Sequence, residues 1–201
     1  MFKNDFIKDV NVLKSLSDKD FFDNFSYLMH VAIVQDEALY IQMIDDLYEI
    51  CEKNEEVLDS ISSKIETDLN ILETKKTDAA SFGIKTAEVL YDLYKDKYGV
   101  GECLALGCVA EGFISYKKNW LTKEEYYELR DMFVPFNLPI SVELMDIDTA
   151  LRKFCEFNST NEDGKYNMIL LKKIGKTVKD TTITIEEIKE AFCELNFDEA
   201  W

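Results

Sequence analysis

The chain has 201 residues, 47% of them hydrophobic, with 40 acidic against 23 basic side chains and a net charge of −17. That length supports one well-packed domain or two small ones. The charge repels phosphate backbones and anionic bilayers, which excludes a basic nucleic-acid groove and a polybasic membrane anchor.

No apolar run reaches bilayer length, and no positive-then-apolar leader opens the sequence. The expectation is a cytoplasmic protein with neither nucleic acid nor membrane among its partners. Cys51, Cys103, Cys108, Cys155 and Cys193 are odd in number and form no CxxC pair. They read as reduced thiols, most of them in apolar helical surroundings.

Two prolines and seven glycines interrupt the sequence, so long helices are expected. Ser17 or Asp18 caps a helix over 18–34. A second helix spans 36–53, with Leu39, Met43, Ile44 and Leu47 at helical spacing. A third spans 55–72 and carries Val57, Ile61, Ile65 and Leu69. The stretches 81–97 and 98–118 form a helical pair joined at Tyr98-Gly99. Thr122 and Glu125 make a capping box for a helix over 123–134. Pro135 and Asn137 end it, since asparagine tolerates the left-handed conformation. A helix over 146–158 follows. The pattern then changes: "YNMILLKKIGKTVKDTTI", residues 166–183, reads as a β-hairpin with a glycine turn. Thr184 and Glu187 cap a last helix over 186–195. The expected fold class is mainly α, one domain over 1–201, with a small β element.

The run "YGVGECLALGCVAEGFISYKK" has an unusual composition for a helix. Gly101, Ala105, Cys108 and Gly112 recur at i, i+4, i+7 and i+11, and Cys103, Gly107 and Ala110 lie on another face. Each glycine costs roughly 1 kcal/mol relative to alanine. Close approach of neighbouring helices is the expected compensation. Glu102 and Glu111 are nine residues apart and do not share a face; Glu102 suits the helix start, where negative charge is favoured. His30, the single histidine, sits on an apolar face and reads as a buried, partnered side chain. Phe21, Phe22, Phe25 and Tyr27 form an aromatic stripe that is either core or, if exposed, an interface.

Four stretches together resemble the C-terminal helical domain of the 3-dehydroquinate synthase family. "DVNVLKSLSDKDFFDNFSYLMHVAIVQDEALY" is similar to the family's "DxxxLxTLPxREFxxGxAExIKYGxIxDxxxF". "VGECLALGCVAEGFIS" is similar to "HGEAVAIGMVAEAxxS". "FNLPISV" matches the "FGLP" turn, and "GKYNMILLKKIGKTV" matches a late strand run. The resemblance covers almost the whole chain. It implies a zinc ion held by one Glu and two His, acting as a Lewis acid, and cationic side chains around an anionic substrate.

Carried over residue by residue, the zinc Glu falls on Tyr27, and the zinc histidines fall on Ile84 and Val100. The motif lysine falls on His30, and a substrate histidine falls on Glu88. Further substrate positions fall on or near Glu66, Thr77, Ser81, Ser159 and Thr160. The pocket so defined, Tyr27, His30, Ile84, Glu88 and Val100, is expected to be vestigial: no zinc, no catalytic residue, no cofactor. No Gly-rich strand–turn–helix fingerprint is present, so no nucleotide-binding domain is expected within these residues. The resemblance therefore implies a catalytically inactive member acting through protein contacts. Two alternatives stand beside it. One is a subunit of a composite synthase or sugar-phosphate cyclase whose NAD-binding half is a separate chain. The other is a module for a small apolar ligand. The expected partner is a protein, either that separate chain or a second copy.

Overall fold

The computed structural model describes residues 7–75 and 78–197. Helix α1 (Val10–Ser15) is capped by Asp9, whose carboxylate accepts the Asn11 and Val12 N–H groups. Helix α2 (Asp18–Gln35) is capped by Ser17, whose hydroxyl accepts the Asp20 N–H. Next come α3 (Glu37–Asp45), α4 (Leu47–Cys51) and α5 (Glu55–Lys75). A 3-10 turn (Ala79–Ser81) leads into α6 (Ile84–Tyr94) and α7 (Val100–Lys117). Helix α8 (Lys123–Asp131) is followed by a second 3-10 turn (Val134–Phe136). Then come β1 (Val142–Glu143), α9 (Ile147–Phe157), β2 (Tyr166–Lys173), β3 (Lys176–Ile183), α10 (Ile185–Leu195) and β4 (Asn196–Phe197).

Helix α7 is the hub. It packs against α2, α6, α8, α10 and β2, and 13 of its 18 residues are buried. A helix apolar on all sides belongs in a core. Its glycines mark where neighbours come too close for a side chain. A Cβ on Gly101 would stand 1.8 Å from the Asp23 carbonyl oxygen of α2. One on Gly107 would stand 2.1 Å from the Gly83 carbonyl oxygen, just before α6. One on Gly112 would meet Leu129 of α8 at 2.7 Å. The small residues therefore serve three different neighbours, which offsets their low helix propensity.

The hairpin pairs β2 with β3 in antiparallel register, Leu170 opposite Val178, and turns through Gly175 at φ +75°. Its buried face, Met168 and Leu170 among it, lies over α7. There the Ser115 hydroxyl accepts the Leu171 N–H at 3.1 Å and donates to the Glu111 carbonyl at 2.9 Å.

The mainly helical fold with its small hairpin is as expected, but several boundaries differ. The expected helix over 36–53 breaks at Asp46 (φ −90°, ψ 18°), where two adjacent aspartates favour turn over helix. The expected helix over 81–97 starts only at Ile84, because Gly83 adopts a left-handed φ of +78°. Helix α8 stops at Asp131, before the 3-10 turn that contains Pro135, and Asn137 takes the expected left-handed φ of +54°. Helix α1 and the two-residue parallel bridge between β1 and β4 are too short to leave a periodic signal. The aromatic stripe is core at Phe21 and Phe25, which are fully buried; Phe25 stacks on Phe136 with centroids 5.3 Å apart. Phe22 and Tyr27 are half-buried.

Candidate functional site at the head of the central helix

Helix α7 packs against both α2 and α6; α2 reaches its first turn, and the turn that starts α6 sits beside its middle, where a Cβ on Gly107 would meet the Gly83 carbonyl. From α2, the Asp23 carboxylate accepts the Glu102 N–H at 3.0 Å, in the first turn of α7. Acidic oxygen at a helix N-terminus is favoured by the macrodipole. The Glu102 carboxylate folds back to accept the Gly99 N–H at 2.7 Å. Burial raises the Asp23 carboxyl, opposed by the Glu102 amide; the Glu102 charge raises it further. Seven residues beyond Asp23, His30 donates from Nε2 to the Phe82 carbonyl at 2.8 Å. Burial pushes this imidazole down to about 4, so it is neutral and the proton sits on Nε2.

Asp23, Tyr27 and His30 follow i, i+4, i+7 spacing, one face of α2. Tyr27 therefore lies between the head of α7 and the turn before α6. Ile84 is the first residue of α6, two beyond Phe82, and Val100 is the first residue of α7. All three are half-buried, and Tyr27 and Ile84 pack against the core. His30 is buried and Glu88 lies exposed on α6. Of the remaining carried-over positions, Glu66 pairs with Lys8 at 3.9 Å, while Ser81, Ser159 and Thr160 are exposed. Thr77 lies outside the described residues.

Glu111 gives the site its fixed geometry. It is fully buried. Its carboxylate accepts the Gly83 N–H at 2.7 Å, and the Thr86 N–H and Thr86 hydroxyl at 3.2 Å each. It thereby caps α6 from the interior of α7. Burial raises its carboxyl to about 7, against the pull of the Gly83 and Thr86 donors and of Lys85. The Lys85 ammonium is itself lowered by burial, opposed by the charges of Glu111 and Glu88. Sequence reasoning weighed Glu111 only as a partner for Glu102. The signal available was a lone carboxylate inside "GCVAEGF", since such a group is almost never buried without partners.

The helices and the hairpin give the chain the fold of the C-terminal helical domain of sugar-phosphate cyclases. The 2-epi-5-epi-valiolone synthase of Streptomyces hygroscopicus subsp. jinggangensis, solved with NAD+ and Zn2+ bound, superposes with a TM-score of 0.80 at 17% identity. The match covers 93% of this chain and 54% of that one. A 2-deoxy-scyllo-inosose synthase solved with carbaglucose-6-phosphate, NAD+ and Co2+ superposes with a TM-score of 0.71 at 18% identity, over 92% of this chain and 54% of that one.

In sequence the chain is similar to 3-dehydroquinate synthases. That of Thermodesulfovibrio yellowstonii is 22% identical over 193 residues, covering 92% of this chain and 54% of the relative. That of Campylobacter jejuni subsp. doylei is 25% identical over 187 residues, covering 88% of this chain and 53% of the relative. The chain thus spans about half the length of the curated relatives it matches. No family model matches it.

The resemblance implies zinc at positions 27, 84 and 100. The donor set there is a phenol and two aliphatic side chains, which does not fit the nitrogen, sulfur and carboxylate ligands zinc takes. Among the described residues, no three or more His, Cys, Asp or Glu side chains gather as a metal would need.

Proposed function

We propose that this chain is a catalytically inactive relative of the sugar-phosphate cyclases that acts through protein contacts. One observation carries the reading: the positions onto which the resemblance carries the zinc ligands hold Tyr27, Ile84 and Val100, in a fold that superposes at a TM-score of 0.80 on a synthase solved with Zn2+ bound. Ile84 and Val100 offer no lone pair and fill space with carbon. The scaffold around them is held by Asp23, His30 and Glu111, so the substitution is chemical and the architecture is kept. No nucleotide-binding domain is read within these residues. The test is turnover: the purified chain, given a sugar phosphate, NAD and zinc, is expected to release no phosphate above the buffer control. Zinc-dependent phosphate release would refute the reading.

A second reading follows from the span of the match. A chain similar to about half of each relative suits one subunit of a composite whose NAD-binding half is a separate chain. In that case turnover would appear only when the second chain is added.

A further inference from the structure

Helices α3 and α4 turn an apolar edge to solvent. Ile41 and Ile44, three apart on α3, are 51% and 46% exposed, and Tyr48, beyond the break on α4, is 72% exposed. Beside this edge runs an open groove of about 500 Å³. Ile44 and Leu47 form one wall, Met132, Pro135 and Phe136 extend the apolar lining, and Glu128 and Asp131 of α8 supply its charged side. Val134, 52% exposed, continues the apolar surface. The groove lining contains no basic side chain. Asp131 is paired with Arg130 at 2.8 Å. Among the described residues Glu128 has no cation within ion-pair distance. Asp45, on the α3 rim, is exposed, and Glu49 is half-exposed.

We infer that this groove docks a basic amphipathic helix of another protein. An apolar trough flanked by exposed apolar side chains is the receiving half of helix-in-groove recognition, in which the docked helix supplies anchors at i, i+3 or i+4, and i+7. The volume suits a few aliphatic anchor side chains. The acidic rim selects lysine or arginine on the flanks of such a helix. It disfavours a second copy of this chain, which would bring another groove of the same sign and a net charge of −17. The proposal rests on the protein-contact reading for its biological sense. Its test is independent of turnover: a groove that fails to bind leaves the inactive-site reading untouched, and measured turnover leaves the groove standing.

Fluorescence anisotropy of a labelled synthetic helix tests it. The probe carries leucines at i, i+3, i+7 spacing and lysines elsewhere; its twin carries glutamates in place of the lysines. The lysine probe is expected to saturate the protein, and the glutamate twin to bind at least about 30-fold more weakly. Ile44→Lys with Glu128→Lys is expected to cost about 30-fold or more, the scale of a lost anchor. Asp59→Lys with Glu156→Lys changes net charge by a larger amount at exposed positions away from the groove lining. It is expected to cost less than about 3-fold once salt screens the general field. Ile44→Ala, which adds no charge, is expected to weaken binding as well. Circular dichroism checks that each variant keeps its helices. Equal loss in both charge variants would reduce the effect to general attraction and overturn the proposal. So would absence of saturation by the lysine probe, equal binding of both probes, or wild-type self-association that Ile44→Lys abolishes.

Discussion

His30 and Glu111 hold opposite ends of one peptide group. His30 Nε2 donates to the Phe82 carbonyl at 2.8 Å, and the Glu111 carboxylate accepts the Gly83 N–H at 2.7 Å. One side chain comes from α2 and the other from α7. The peptide they share sets the left-handed Gly83 and therefore the direction in which α6 departs. Glu111→Gln keeps the shape but turns an amide NH2 toward either the Gly83 N–H or the Thr86 N–H, both of which only donate. It is expected to cost about 1–3 kcal/mol in urea unfolding, the scale of unsatisfied buried donors. Full stability in that variant would show that the grip contributes nothing.

The same pair has opposed pH dependences. The folded state binds the Glu111 proton more tightly than the unfolded chain does, since burial raises that carboxyl from 4.5 to about 7. Its contribution is complete below pH 4.5 and is lost as pH rises to about 7. His30 moves from 6.5 down to about 4, so its contribution is complete above 6.5 and is lost as pH falls to about 4. Each effect is worth up to about 3 kcal/mol at about 1.4 kcal/mol per pH unit. Over their shared window they oppose one another. Relative to wild type, Glu111→Gln is therefore expected to gain stability as pH rises from 4.5 to 6.5, and His30→Gln to lose it. Urea midpoints across that range check both slopes, and two variants parallel to wild type would contradict the argument.

Zinc content follows from the donor set. Elemental analysis of the dialysed protein is expected to find far less than one zinc per chain. Tyr27→Glu, Ile84→His and Val100→His together restore the three ligands that the resemblance implies and are expected to bring zinc in. One zinc per wild-type chain would mean that other residues hold it.

The glycines of α7 should not cost alike. Gly101→Ala and Gly107→Ala drive a methyl into the backbone carbonyls of Asp23 and Gly83, which cannot step aside. Each is expected to lose about 3 kcal/mol or more, at the upper end of overpacking costs. Gly112→Ala meets only the end of the Leu129 side chain. Its rotation is cheap, and alanine returns roughly 1 kcal/mol of helix propensity, so thermal melts should show little change. Equal melting temperatures for all three would contradict this ordering.

Two left-handed glycines separate strain from contact. Gly164 (φ +69°) has open space around its missing Cβ, whereas at Gly175 (φ +75°) a Cβ would stand 2.9 Å from the Glu37 nitrogen. Gly164→Ala is expected to cost about 1–2 kcal/mol from backbone strain alone. Gly175→Ala should cost more, because the hairpin tip must also lift from α3. The difference in urea midpoints measures that contact.

Much of the fold was legible because its signals are local. Thr122 with Glu125 and Thr184 with Glu187 form the capping boxes their spacing announced, and the change of period after Lys165 marked the hairpin. Helix breaks were harder to read. Asp46 and Gly83 act through one residue each, below what periodicity detects. Tyr27, Ile84 and Val100 stood out only through the resemblance, because they look like ordinary apolar positions. Asp23 and Glu111 act across long sequence separations, and nothing near them in sequence names the amides they accept from.

The tip of the hairpin reaches back to the first long helix. Gly175 donates its N–H to the Ile33 carbonyl at 2.8 Å, and Lys173 pairs with Glu37. A growing polypeptide leaves the ribosome N-terminus first, so α2 emerges long before the strand turn that closes its last turn. Until then the Ile33 carbonyl has only water to bond. The last turn of α2 is therefore completed only by a late segment, and truncation before residue 175 would leave that end of α2 open.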